Sequence, residues 1–296
     1  MSSEPTRVLV LGMDGMLGHA VFLHLSRPGG FLVRGTRRDG GPAAGLDAEA
    51  GTEALRRALV AGGPPAFVVN AIGIRADRIR EDEPTSVSRA LEVNARFPNA
   101  LAFVAEELGL RVIHVSTDGV FAANAGRCFE DTPVGPSDVY GRSKSLGEAV
   151  SPRVVNVRCS LVGPDRAGGR GLFEWFRRQA PGSRVTGFAD QLWNGVSTGQ
   201  LAELCHILAA PGRFDAVRAE GPVHHFCPNR TVTKHELLGM FRDALGAEVE
   251  VVAGPSRAPS NRELGTRLRS LPSLMGADQP MELAVRRMVM DLGGAS

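Results

Sequence analysis

Arg7-Val-Leu-Val-Leu-Gly12-Met-Asp-Gly15-Met-Leu-Gly18, continued by an apolar segment from His19 to Ser26, decides the architecture. Val8 to Leu11 are apolar without alternation, the mark of a strand buried on both faces. Gly12-x-x-Gly15-x-x-Gly18 reads as a tight turn opening a helix. Glycines let such a turn approach a pyrophosphate closely, and the helix N-terminus then meets its charge. The spacing differs from Gly-x-Gly-x-x-Gly, and a lone glycine cluster is weak evidence. Its strand–turn–helix setting makes it a dinucleotide site, with Gly12, Asp14, Gly15, Met16, Leu17 and Gly18 as cofactor contacts. The fold class expected is α/β: a Rossmann-type doubly wound parallel sheet with a smaller α/β C-terminal substrate-binding region.

The second strand, Phe31 to Thr36, ends without a carboxylate and is followed by Arg37-Arg38-Asp39. At this distance from the glycine turn an acid would hold a ribose hydroxyl, and arginine a 2′-phosphate. Arg37 and Arg38 therefore favour NADPH over NADH, while Asp39 keeps NADH open. Residues 38–51 read as a loop, with Asp47 near the adenine. Thr52 to Ala61 fits a helix. The third strand, Ala66 to Asn70, ends in Ala71-Ile72-Gly73, where the cofactor can lie close. Arg75 to Pro84 reads as a charged, mobile connection, and Ser86 to Leu108 as one long helix carrying Asn94.

Arg111 to Thr117 is another buried strand, and its end, Ser116-Thr117-Asp118, faces the edge where open α/β sheets bind ligands. Tyr140, the only tyrosine, lies twenty-three residues beyond Thr117 on the first turn of a helix, and Lys144 is one turn further along the same face. Thr117, Tyr140 and Lys144 are thus the candidate catalytic set. A hydroxyl, a phenol and an ammonium can deliver a proton to a carbonyl while hydride arrives from a cofactor. Lys144 is expected to lower the phenol pKa and, with Ser116 and Tyr140, to touch the cofactor.

Composition narrows the function classes. With 296 residues and a net charge of +2, the chain has room for a large core and no global field for nucleic acid or membrane. Its four cysteines form no Cys-x-x-Cys pair, which suggests a reducing compartment. The apolar run after Arg7 is broken by Asp14 and three glycines, so it is not read as a secretory signal, and a cytoplasmic protein is expected. His224, His225 and His235 lack Cys or acid at ligand spacing, so no metal site is expected.

The pattern changes near residue 164. Residues 1–160 are read as the NADP-binding domain, to which the chain returns around 196–226, and residues 161–296 as mainly substrate-binding. Val154 to Arg158 is a strand leading to Ser160. Asp165 to Gly171 reads as a flexible loop, Leu172 to Gln179 as a short aromatic helix with Trp175, and Arg184 to Phe188 as a strand. Asp190 to Thr198 reads as irregular. Trp193 within it serves equally well as a sugar-stacking lid or as packing. Ser197-Thr198 and Thr233 can cap helices reaching Ala209 and Leu245. Glu248 to Val252 alternates like a half-exposed strand, Pro259 to Pro272 reads as irregular, and Met281 to Asp291 closes the chain as an amphipathic helix.

Taken together, Gly12-x-x-Gly15-Met-Leu-Gly18, Asn70-Ala71-Ile72, Ser116-Thr117-Asp118-x-Val120-Phe121, Tyr140-Gly-Arg-Ser-Lys144, Arg158-x-Ser160 and Asp190-Gln191 resemble the dTDP-4-dehydrorhamnose reductases. These are sugar-nucleotide reductases of the extended short-chain dehydrogenase/reductase superfamily. The matches run in order along residues 7–200. The resemblance implies Thr117, Tyr140 and Lys144 as the catalytic set. It implies NADPH at the glycine turn, Arg37, Ala71-Ile72 and Lys144, and a nucleotide-sugar under residues 160–290. Val120, Phe121, Ser160, Trp175, Trp193 and Asn194 are the candidate sugar contacts; a homodimer is possible. Two departures bear on the substrate: Gly119 stands where the family commonly has Tyr, and Leu192 to Thr198 replaces Gly-x-Pro-Thr. Gly119 also lacks the carboxylate a 4,6-dehydratase needs there. An epimerase of the same superfamily, or a non-catalytic cofactor-binding regulatory subunit, remains the alternative.

Overall fold

The computed structural model describes residues 4–39, 44–165 and 169–293. Parts of the loops read above at 38–51 and 165–171 lie outside them. The first strand, β1 (Thr6–Leu11), enters the glycine turn, and α1 (Met16–Leu25) carries the chain back to β2 (Phe31–Arg37). Within the expected loop, β3 (Ala44–Gly45) pairs with the end of β2. Next come α2 (Thr52–Val60) and β4 (Phe67–Asn70).

The helix expected over residues 86–108 is instead α3 (Pro84–Leu91) and α4 (Phe97–Leu108), joined by a π turn over Glu92–Arg96. Pro98 explains the break. It has no N–H to return to the carbonyl of Asn94 four residues earlier, so the ladder widens there. The freed carbonyl lies where a Cβ on Gly147 would collide with it, so only glycine allows the next helix to pack so closely.

Beyond α4 lie β5 (Arg111–Thr117), α5 (Val139–Leu146), β6 (Val154–Cys159) and the short β7 (Leu161–Val162). The second half opens with α6 (Leu172–Arg177), β8 (Arg184–Phe188), β9 (Gln191–Trp193) and β10 (Val196–Ser197). The stretch read as irregular at 190–198 thus holds two short strands. Then follow α7 (Thr198–Leu208), α8 (Arg213–Glu220) and β11 (Val223–His225). The chain ends with β12 (Val232–Thr233), α9 (Lys234–Leu245), β13 (Glu250–Gly254), β14 (Ser260–Asn261), α10 (Ser270–Met275) and α11 (Met281–Gly293). Sequence reading missed α8 because only Phe214 and Val217 on it are buried, too few for a periodic signal. It also missed β14 and the start of α10 in the stretch 259–272.

Among the described residues the main sheet has seven strands in the order β11-β6-β5-β4-β1-β2-β3, all parallel. One face is covered by α1, α7 and α8, which bury Val21, Leu25, Leu201, Leu204, Leu208 and Phe214. The other is covered by α2 and α4, with Leu55, Leu59, Phe97, Leu101 and Val104. This is a doubly wound α/β sheet. Ser197 and Thr233 each close a capping box at the start of α7 and α9, worth about 1 kcal/mol apiece.

The C-terminal part has its own core of Phe173, Phe176, Trp193, Leu237, Phe241, Met281 and Met288. There β8 pairs with β13, and β9 lies between β12 and β14. Among the described residues no helix is long and apolar enough to cross a membrane, and no group of three His, Cys, Asp or Glu could hold a metal ion.

Candidate functional site

Strand order reverses between β1 and β4: the chain winds outward from β1 through β2 and β3, then from β4 through β5, β6 and β11. The crevice at such a reversal, outside the carboxyl ends of the strands, is where doubly wound sheets bind ligands. The glycine turn lies on that edge. Gly12 has φ +80° and donates its N–H to the Thr36 hydroxyl at 3.1 Å. A Cβ on Gly12 would come within 2.9 Å of Ile72 Cγ1, and one on Gly18 would collide with the Gly12 carbonyl. Gly15 caps α1 without a side-chain hydrogen bond, and the first turn holds no acid. The turn is a cradle that brings the backbone close, and the first N–H groups of α1, from Met16 to Gly18, have no carbonyl earlier in the helix to bond and suit an anion, so the residues present fit a dinucleotide pyrophosphate.

Around this cradle the sequence candidates fall into place unevenly. Arg37 lies at the end of β2, 3.2 Å from the Asp14 carboxylate, with both side chains about half exposed. Arg38 is exposed in the following turn. Asp47 accepts the N–H of Glu49. Ala71, Ile72 and Gly73 continue β4 over the glycine turn, and Ile72 donates its N–H to the Asn70 side chain at 3.1 Å. Asn70 in turn meets His114 Nδ1 across the strand pair at 3.0 Å.

Asn94, on the π turn, braces the site more directly than its mid-helix position suggested. Its amide accepts from Ile74 N–H at 2.7 Å and donates to Ile74 carbonyl at 2.9 Å and to Ser143 Oγ at 3.1 Å. Ser143 donates to the carbonyl of Tyr140 at 2.9 Å. One buried amide thus joins the loop after β4 to the helix turn carrying Tyr140. That loop is not the mobile connection expected. It contains a short 3₁₀ turn over Ala76–Arg78, and Glu81 accepts the N–H of Val139 at 2.7 Å.

At the end of β5, Thr117 Oγ1 accepts from Gly119 N–H and donates to Asp118, both at 3.1 Å. Asp138 caps α5, accepting Gly141 N–H at 2.7 Å, and so presents Tyr140 toward Thr117. The Thr117 hydroxyl and the Tyr140 ring meet at Gly119, where a Cβ would stand 3.4 Å from Thr117 Oγ1. A Cβ on Gly119 would lie 3.2 Å from Tyr140 Cε1, so glycine leaves the ring its place. Lys144 is buried, and its ammonium donates to the Val115 carbonyl at 2.7 Å.

The phenol titration differs from the sequence expectation. The Tyr140 phenol is pushed up to about 12, chiefly by burial and further by the Asp118 charge; Thr117 and Arg75 oppose the rise. Lys144 is not among the largest influences on the phenol, and its ammonium is hydrogen-bonded to the Val115 carbonyl. Burial brings Lys144 down to about 8, with the Glu148 charge opposing, so it is still mostly cationic at neutral pH. Burial also raises the Asp118 carboxyl, against the pull of Arg262 and Lys234.

Ser116 turns away from the cleft edge. Its hydroxyl donates to Glu148 at 2.5 Å, and Glu148 forms a bidentate pair with Arg158 at 2.8 and 2.7 Å. Val120 and Phe121 are fully buried; Phe121 packs edge-on against His225, with the Arg158 guanidinium over its ring. Trp193 is 6% exposed, belongs to the C-terminal core and lies under the Lys234 ammonium, 4.9 Å from the ring centre. The Asn194 side-chain amide holds Leu264, donating to its carbonyl at 2.7 Å and accepting from its N–H at 3.0 Å. These four side chains are packing and bracing groups here, not an open contact surface. Ser160 is partly exposed, and Trp175 is 44% exposed on α6. Sequence reasoning passed over His114, Glu148 and Arg75. Each lies beside a quoted motif, but only the fold reveals its partner.

Residues 6–265 match the family model described as RmlD substrate binding domain. The chain is 37% identical over 150 residues to the dTDP-4-dehydrorhamnose reductase of Streptomyces griseus, a match covering 50% of this chain and 46% of that protein. It therefore spans about half the length of that relative. The dTDP-4-keto-6-deoxy-D-glucose reductase of Streptomyces niveus is 29% identical over 284 residues, 92% of this chain and 89% of its own. The solved structure of dTDP-4-dehydrorhamnose reductase from Bacillus anthracis in complex with NADP has a TM-score of 0.76 and 17% identity. It covers 97% of this chain and 99% of that one, a likeness of fold.

Proposed function

We propose from one premise, that this chain belongs to the RmlD substrate-binding-domain family, that it reduces the 4-keto group of a nucleotide-activated deoxysugar, using NADPH. The observation that carries the reading is the meeting of the Tyr140 ring and the Thr117 hydroxyl at Gly119 on the carboxyl edge of β5, where a Cβ would stand 3.2 Å from Tyr140 Cε1 and 3.4 Å from Thr117 Oγ1. That arrangement supports Tyr140 as the proton donor and Thr117 as the hydroxyl that would bind the carbonyl.

When bound, the dinucleotide would supply hydride to the carbonyl carbon. The chain's own residues do the rest. Gly12, Gly15 and Gly18 would hold the pyrophosphate, Arg37 the 2′-phosphate, and Ala71 to Gly73 one flank of the cofactor. Thr117 would orient the carbonyl oxygen with a hydrogen bond that strengthens as negative charge develops. Tyr140 gives that oxygen its proton. A phenol of high pKa is a poor acid in isolation but keeps its proton until the oxygen becomes basic. Lys144, fixed on Val115, keeps a positive charge beneath the strand end. The sugar would lie between that edge and the C-terminal part, near Ser160 and Trp175.

The deciding experiment incubates the purified chain with NADPH and a panel of 4-keto nucleotide-sugars and follows the loss of NADPH absorbance. Turnover of one such sugar is the expected result. Tight retention of NAD with interconversion of 4-epimers would instead make the chain an epimerase.

A further inference from the structure

Lys144 and Lys234 are the two lysines of the chain, and the chemistry above leaves Lys234 without a task. It opens α9 directly after the Thr233 cap. Its ammonium lies 4.9 Å from the centre of the Trp193 ring and, among the described residues, makes no hydrogen bond and no ion pair. Burial lowers its pKa against the opposing pull of Asp118. A second cation flanks the same strand. Asn261 on β14 stands opposite Leu192 on β9, so Arg262 follows beside Trp193. Its Nε is buried without a partner, and its guanidinium forms no ion pair among the described residues. The acids nearby are engaged elsewhere: Glu236 in the α9 capping box, Glu263 with the Thr231 hydroxyl, and Asp190 with the N–H of Ser256. Asp118 feels both charges, and one carboxylate cannot balance two cations.

Both cations border the carboxyl edge of the main sheet. A Cβ on Gly195 would lie 2.2 Å from Trp193 Cζ2 and 2.5 Å from the Ser160 carbonyl oxygen, so the ring under Lys234 abuts the end of β6. Asn261 donates its N–H to the Ala123 carbonyl at 2.9 Å, which ties β14 to the segment after Thr117 and Asp118. We propose that Lys234 and Arg262 bind the diphosphate of the substrate, one on each side of Trp193, which makes that substrate a nucleoside-diphosphate sugar. The inference rests on the reductase reading for the sugar and adds its linkage. An ammonium is a compact charge that donates to one phosphate, and a guanidinium offers a planar fork to the other. A sugar linked through a single phosphate would bring one negative charge and leave one cation unanswered.

Lys234 can be read directly, without turnover, by the rate at which its amine is acetylated. The chain is treated with N-acetoxysuccinimide at fixed mildly alkaline pH, and the peptide carrying Lys234 is followed by mass spectrometry. Protection is measured with dTDP, UDP and inorganic pyrophosphate, and with thymidine and uridine as uncharged controls. At about ten times its half-protecting concentration, dTDP or UDP should slow acetylation about tenfold, the mass-action factor for an occupied site. The uncharged nucleosides should leave the rate unchanged. Arg262→Gln and Arg262→Met should each raise the half-protecting concentration about tenfold, through loss of one charge-assisted contact, and Arg262→Lys should recover most of it. Folding is checked by circular dichroism, and the two neutral variants are measured together so that failure of one to fold leaves the other. The proposal is overturned by equal acetylation with and without the diphosphates, by a Lys234 that does not react in the free chain, or by unchanged protection in a folded neutral variant. Protection by thymidine or uridine as strong as by the diphosphates overturns it too. Failure of the reductase reading would show separately, as no NADPH oxidation on the sugar panel.

Discussion

Tyr140 and Lys144 share one face of α5, yet they meet different parts of the chain: the Tyr140 ring flanks Gly119 beside Thr117, and the ammonium donates to the Val115 carbonyl. The proposed chemistry therefore divides between them. Replacing Tyr140 with Phe removes the proton and keeps the ring, and Gly119 still leaves space for it. Turnover should fall by about 10²–10⁴-fold with NADPH binding intact; near-wild-type turnover on the true substrate would sink the mechanism. At the other end of the cradle, Arg37 is already in contact with Asp14. A 2′-phosphate would share that guanidinium with a carboxylate, so any preference for NADPH depends on Arg37 itself. Arg37→Ala should weaken NADPH binding much more than NADH binding, by the loss of one charge-assisted contact. Calorimetric titrations showing equal losses would count against it. The i,i+4 spacing of Tyr140 and Lys144 and the glycine turn were legible because local periodicity encodes them. Where the ammonium would end was not, because its acceptor lies on a strand twenty-nine residues away.

At the scale of elements, β1 and β4 announced themselves as unbroken apolar runs, and β1, β2, β4, β5 and β6 begin and end within a residue or so of the expected limits. The π turn did not, since its cause is a missing N–H at Pro98 within an otherwise helical pattern. The short strands of the C-terminal part escaped for a different reason. β9, β10, β12 and β14 have two or three residues each, below the length at which alternation can be read. Trp193 shows the consequence. In an apparently irregular segment a tryptophan reads as a lid as readily as packing. On β9 it lies in the core with Phe173, Phe241 and Met281 nearby in the same cluster, and under Lys234. Trp193→Ala should thus act on stability first, by about 3–5 kcal/mol, measured as a lower denaturation midpoint. An unchanged midpoint with a raised KM for the sugar would restore the lid.

Across the whole molecule, the sheet and the C-terminal part are joined by buried polar contacts that tolerate only one protonation state. Arg158 on β6 pairs with Glu148 below and approaches His225 Nε2 at 3.4 Å, while His225 Nδ1 meets the Gly265 carbonyl at 2.8 Å. For both contacts to hold, Nδ1 must carry the proton and Nε2 must accept, which requires the neutral ring. Glu130 accepts from Thr266 and from the N–H of His225, tying the same loop to the sheet edge. His225 is accordingly held below its ordinary value, first by burial and also by the Arg158 charge, against the opposing pull of Glu130. Burial lowers His224 as well, and His114 further still. With the folded pKa values depressed, the unfolded chain binds more protons than the folded one from about pH 6.5 downward. Stability therefore rises with pH through that window and is lost as pH falls through it. Guanidinium chloride midpoints should be lower at about pH 5.5 than at about pH 7.5. His114→Gln, which can still accept from Asn70 but does not titrate, should shrink the difference. A wild-type midpoint that is constant or higher at the acid end would show that these rings take up protons in the folded chain, and that the contact between Arg158 and His225 does not depend on a neutral imidazole.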